Sequence, residues 1–73
     1  MKKLCDRLQQ LKQEHNLKQK DIAGAVKIPL RTYQRYEYGE RQPTAEVLIA
    51  LADFYDVSID YLVGRTDNPK INK

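Results

Sequence analysis

The run Lys27-Ile28-Pro29 divides two short apolar-periodic segments, and it restricts the fold more than any other feature of the chain. Proline is accommodated at the start of a helix but not in its middle, and it pushes the preceding residue toward an extended conformation. No helix can therefore run through this point. The segment before it, Gln19 to Val26, places Ile22, Ala23 and Val26 on one helical face, and the segment after it is expected to be helical from Leu30 to about Glu37. Gly24 costs its short helix about 1 kcal/mol relative to alanine, so that helix must lean on packing against something else.

The same periodicity extends in both directions. Leu4, Leu8 and Leu11 fall at i, i+4 and i+7 in a helix from Leu4 to Glu14, which should close near His15-Asn16 because asparagine tolerates the left-handed conformation. Tyr38 to Pro43 is a loop by its glycine and proline. Thr44 is a suitable N-cap for a fourth helix carrying Val47, Leu48, Leu51, Ala52 and Tyr55, and Ser58 caps a fifth that runs through Val63 and ends at Gly64. No strand-like alternation persists. The expected fold is all-α, a compact bundle of five short helices in one domain over residues 1–65, with 66–73 as a flexible polar tail whose only apolar residue is Ile71.

A single domain of 73 residues with one cysteine and one histidine has few chemistries open to it. Cys5 has no intramolecular disulfide partner or CxxC mate, and His15 alone excludes a multi-histidine zinc site. Asp53, Asp56 and Asp60 lack the alternation and glycine of a calcium loop. No nucleophile, base and orienter can be assembled, so an enzyme is not expected, nor a cofactor, a metal or a small-molecule ligand. No stretch is long and apolar enough to span a membrane and no secretory signal is readable, which gives a cytoplasmic expectation. The net charge of +3 is unevenly spread: residues 1–41 carry +5 and residues 42–73 carry −2. The amino-terminal part is the one suited to an anion.

Arg31, Gln34 and Arg35 lie at i, i+3 and i+4 on one face of the third segment, adjoined by Leu30. Arginine can engage both acceptors of guanine, glutamine can pair with adenine, and leucine can touch a thymine methyl. Two short helices joined by a tight turn, the second so decorated, form the arrangement that places one helix across the phosphate backbone and the next in the major groove. Lys18, Lys20, Lys27 and Arg41 are candidate phosphate contacts. The plainer reading of such a face is a solvated surface, and it is the order of the surrounding motifs that favours the groove. Tyr33 and Tyr36 fall on the inner side of their helix and are expected in the core rather than as base-stacking platforms. Cys5 is expected to pack against the first helix and His15 to lie at the surface.

From Leu8 to Gly64 the chain resembles the Cro/cI-type helix-turn-helix family, the lambda-repressor-like regulators of phage and bacteria. The resemblance is carried by Leu17 to Ala23, by Tyr33 to Pro43, by Leu48 to Leu51 and by Val57 to Gly64, in that order and at that spacing. It implies sequence-specific binding of double-stranded DNA, most often as a repressor. It also implies a phosphate contact at Gln19, base contacts by Leu30, Arg31, Gln34 and Arg35, and a second phosphate-binding segment at Tyr38 and the loop through Arg41 and Gln42. In the family an acid at the position of Glu37 pairs with a base on the first helix, here Lys12. The turn-glycine position is occupied by Lys27, which must take a positive φ or shape the turn differently. Pro29 replaces the usual capping hydroxyl. A short recognition helix reads only a few base pairs, so a homodimer on an inverted repeat is expected, with its contact in the less basic part at Phe54, Ile59, Tyr61 and Val63. The alternative is a protein-interaction module, such as an antitoxin or adaptor, on the same fold.

Overall fold

In the computed structural model, which describes residues 3–70, five helices follow one another: α1 (Leu4–Glu14), α2 (Gln19–Ala25), α3 (Leu30–Glu37), α4 (Ala45–Tyr55) and α5 (Ile59–Leu62). Each helix closes in the same way. A residue in the left-handed region follows the helix, at Asn16 (φ 53°), Lys27 (φ 59°), Gly39 (φ 77°), Asp56 (φ 56°) and Gly64 (φ 84°). The next amide then donates five residues back, as Leu17 to the Lys12 carbonyl, Ile28 to Ala23, Glu40 to Arg35, Val57 to Ala52 and Arg65 to Asp60. These are Schellman-type closures, which satisfy carbonyls the helix would otherwise leave bare. Lys27 thus adopts the positive φ. At Gly39 it is the positive φ that calls for glycine, since a Cβ there would meet Cys5 Sγ at an ordinary contact distance of 3.4 Å.

The N-termini are set by different chemistry. Thr44 Oγ1 accepts the Val47 amide at 3.3 Å and Ser58 Oγ accepts the Tyr61 amide at 3.0 Å. Pro29, with φ −60°, opens α3 without a side-chain cap. The segments 19–26 and 59–63 end one residue earlier than expected, with Val26 and Val63 as the C-caps.

The core is built from Leu8 and Leu11 of α1, Ile22 of α2, Tyr33 and Tyr36 of α3, Leu51 of α4 and Leu62 of α5. α3 packs on both α1 and α2, and α5 packs on α4 and α1. This arrangement turns one face of α3 into the core and leaves the opposite face outside.

Two expectations change at the carboxyl end. Tyr61 is 7% exposed and belongs to the core, because the Arg7 guanidinium covers its ring at 3.8 Å from the centroid. Three residues of the expected tail touch the body: Arg7 Nη2 donates to the Thr66 carbonyl and to Asp67 Oδ1, each at 3.3 Å, and the Ser58 amide donates to the Pro69 carbonyl at 3.0 Å. Ile71 and the rest of that tail lie outside the described residues.

Candidate nucleic-acid interface

α3 is eight residues long and its two faces differ sharply. Tyr33, Tyr36 and Glu37 are buried, whereas Leu30, Arg31 and Arg35 are exposed and Gln34 is half-buried at the boundary. Among the described residues neither Arg31 nor Arg35 enters an ion pair.

Beneath this face runs a polar network. Glu37 is 2% exposed, and its Oε1 accepts from Lys12 Nζ at 2.6 Å. The same oxygen accepts from Gln19 Nε2 at 3.3 Å. Gln19 Nε2 also donates to the Tyr38 hydroxyl at 3.1 Å, and Gln19 Oε1 accepts from Gln34 Nε2 at 3.0 Å. Gln9 Nε2 donates to the Glu37 backbone carbonyl at 2.9 Å, which ties the end of α3 to α1. The Gln19 side chain, which the family resemblance assigned to phosphate, thus has both its hydrogens engaged within the protein.

Glu37 also shapes the core around it. Burial raises the acidities' midpoints of Tyr33 and Tyr55 above the ordinary tyrosine value, and the nearby carboxylate raises both further. The Tyr55 hydroxyl has no hydrogen-bond partner among the described residues.

Lys18, Lys20, Lys27, Arg41 and Gln42 are all exposed, and Tyr38 is 58% exposed. A groove brings Tyr38, Arg41 and Gln42 together over Cys5, and adds Lys3, which sequence reasoning did not single out. Lys3 precedes the first helix, where periodicity carries no information about which side it faces.

The apolar residues expected at a dimer contact are divided by the fold. Ile59 shares a groove with Ile49 and Val57 between α4 and α5, and Phe54 is exposed on α4 with its ring edge against Tyr55 at 4.9 Å. Val63 instead lines the groove beside Tyr38, and Tyr61 is enclosed, so neither joins Ile59 at its surface. Ile49, which lines the groove with Ile59, is a further exposed apolar residue. Asp56 closes α4 and Asp60 opens α5 with Arg65 Nη1 3.8 Å away, so these two acids serve helix ends.

Comparison with known proteins bears on the whole arrangement. The helix-turn-helix family profile matches residues 8–62. The chain is 40% identical over 65 residues to the HTH-type transcriptional regulator YobD of Bacillus subtilis, covering 89% of this chain and 58% of that protein. It is 40% identical over 63 residues to the cryptic phage CTXphi transcriptional repressor RstR of Vibrio cholerae, covering 86% and 56%. The chain therefore spans little more than half the length of these relatives. Among solved structures, a transcriptional regulator from Listeria innocua superposes with a TM-score of 0.81 at 42% identity, covering 85% of this chain and 58% of that one. The DNA-binding domain of the P22 c2 repressor superposes with a TM-score of 0.79 at 23% identity, over 84% and 80%, which shows the shared fold. With the turn, the closures of the first four helices and the two-faced α3 all falling inside the matched span, the chain belongs to the Cro/cI-type helix-turn-helix family.

Proposed function

We propose that this chain is the sequence-reading domain of a transcriptional regulator, a repressor by analogy with the names of its relatives, and that α3 enters the major groove of double-stranded DNA. One observation carries this reading: Arg31 and Arg35 project from an exposed face with no ion-pair partner among the described residues, on a helix whose other face is locked in the core. Leu30 and Gln34 complete the base-reading set. Lys18, Lys20, Lys27 and Arg41 supply the salt-dependent phosphate contacts, with Tyr38, Gln42 and Lys3 at the groove beside them. Gln19 acts here mainly as a support for its neighbours, because its side-chain hydrogens are already engaged.

A helix this short reads only a few base pairs, so useful specificity calls for two copies on an inverted repeat with half-sites about 34 Å apart. Ile59 with Ile49, and Phe54 beside them in sequence, are the exposed apolar residues of the less basic part that such a contact would use. Sedimentation on operator DNA that finds one copy per site at micromolar protein would remove this part of the reading.

The test of base reading is a selection from random duplexes with the unaltered chain and with Arg31→Ala and Arg35→Ala combined. The unaltered chain is expected to enrich a defined site. The double variant should lose about 1 to 3 kcal/mol of discrimination per contact while keeping part of its nonspecific affinity. Equal preferences in both proteins would refute the assignment.

A further inference from the structure

We infer that buried Glu37 is a positioning residue for base choice: acting through Gln19, it sets which way round the Gln34 amide faces DNA. The inference rests on the groove-reading role of α3 proposed above and adds a mechanism to it.

A glutamine amide has two nearly isosteric ends, a carbonyl that accepts and an NH2 that donates, and only its neighbours decide their placement. The Glu37 carboxylate, held against Lys12 Nζ at 2.6 Å, offers only acceptor oxygens. Gln19 must therefore turn its NH2 toward Glu37, 3.3 Å away, and the reversed amide would set oxygen against oxygen. The Tyr38 hydroxyl takes the other Gln19 hydrogen at 3.1 Å. With its NH2 fixed, Gln19 presents its carbonyl to Gln34, which answers with Nε2 at 3.0 Å. Each step has one allowed polarity, so the direction imposed at Glu37 is transmitted to Gln34.

The consequence is chemical. After donating one hydrogen to Gln19, Gln34 retains one N–H and a carbonyl oxygen, a donor beside an acceptor. Adenine offers the complementary pair in the major groove, N7 as acceptor and the N6 amino group as donor. Guanine offers two acceptors, N7 and O6, and meets only one donor. With the chain of bonds reversed, Gln34 would accept from Gln19 through its carbonyl and keep both N–H donors for DNA, which suits the two acceptors of guanine. Glu37 thereby selects adenine at the base pair that Gln34 reads, although its own side chain is enclosed and faces no DNA.

The experiment is the random-duplex selection run on four proteins: the unaltered chain, Gln34→Ala, Gln19→Ala and Glu37→Gln. Gln34→Ala identifies its column in the selected site as the one that becomes flat. The unaltered chain should show adenine there. In Glu37→Gln, where the neighbouring amide can flip, the adenine-to-guanine ratio at that column should fall by about threefold or more. Gln19→Ala should relax the same column, and both should leave the columns that depend on Arg31 and Arg35 intact. If Glu37→Gln does not fold, Glu37→Asp keeps the charge near Lys12 while withdrawing the carboxylate by one methylene, and the same column should weaken. A merely structural role would lower affinity at every sequence equally and leave the ratio untouched. A column that Gln34→Ala flattens but the Gln19 and Glu37 variants leave unchanged overturns the inference while the groove reading stands, as does guanine at that column in the unaltered chain. No enriched site from the unaltered chain overturns both.

Discussion

Arg31 and Arg35 on α3 and Arg7 on α1 are the same residue type used in opposite ways. The first two are exposed and without ion partners among the described residues. Arg7 is 3% exposed, and four hydrogen bonds tie its guanidinium into the fold: Nε donates to the Tyr61 carbonyl at 2.9 Å, Nη1 to Gln10 Oε1 at 3.0 Å, and Nη2 to Thr66 and Asp67. In the α1–α5 seam the chain consumes its own donors to hold its ends together. In the α2–α3 pair a second network joins Glu37, Gln19 and Gln34 but leaves Gln34 an open hydrogen-bonding edge, and Arg31 and Arg35 stand outside it. Stability and recognition are drawn from the same chemistry, and what separates them is where the network ends.

The strongest way to break this contrast is Arg7→Ala. It removes four hydrogen bonds to a buried cation and the cover over the Tyr61 ring, and it leaves the Tyr61 and Thr66 carbonyls without their donor. A loss of about 3 kcal/mol of folding stability is expected, measured by urea or thermal unfolding. Arg7→Lys should recover little, since an ammonium cannot reproduce the planar fork. Base preference of the folded protein should be unchanged. Unfolding within about 0.5 kcal/mol of the unaltered chain would show that the seam is not held as described.

That seam was invisible in the sequence for a physical reason. Arg7 finds partners at Tyr61, Thr66 and Asp67, some 54 to 60 positions away, and two of them are backbone carbonyls, which every residue carries. On α1 it stands between Leu4 and Leu8 and reads as one more charge of a polar stripe. Tyr61 was placed at the surface because a helix of four residues is too short to establish a phase. The helices themselves and the two faces of α3 were legible, because apolar periodicity, Thr44, Ser58, Asn16 and Gly64 act locally. Asp56 had a readable signal, aspartate being among the residues that accept the left-handed conformation, but it stood in a row of acids that drew attention to charge instead. The outward residues of α3 were named from spacing and resemblance. The Gln19–Gln34 link was not, because it joins two helices across a turn whose geometry the sequence left open.

Glu37 sits where the two regions meet, and alkaline pH examines its inner side. Tyr33 and Tyr55 have folded pKa values raised above the ordinary tyrosine value, by burial first and by Glu37 second. The native state therefore holds these protons more tightly than the unfolded chain, whose tyrosines titrate near 10. The contribution is fully present below that value and is lost as pH rises from there toward the folded midpoints. Stability should fall above about pH 10 by roughly 1.4 kcal/mol per pH unit for each tyrosine. Tyr33→Phe should flatten this limb, and an unfolding free energy that declines as steeply in Tyr33→Phe and in Tyr55→Phe as in the unaltered chain would show that other groups set it.

Lys27→Gly carries the smallest expected effect, and it separates the two uses of side chains within a single residue. Lys27 holds a φ of 59°, a region that disfavours a residue with a Cβ by about 1 kcal/mol or somewhat more, while glycine enters it freely but loses more chain entropy on folding. The balance predicts a gain of about 0.5 kcal/mol in stability, read as a small rise in the unfolding midpoint. Removal of an exposed charge beside α3 should at the same time weaken DNA binding evenly across sequences and reduce the salt dependence by about one counterion. A higher midpoint with a shallower salt slope means that lysine stands in the turn for its charge, at the expense of the fold. A lower midpoint would mean that the turn carries no such strain, and a salt slope that does not move would place Lys27 outside the phosphate contacts.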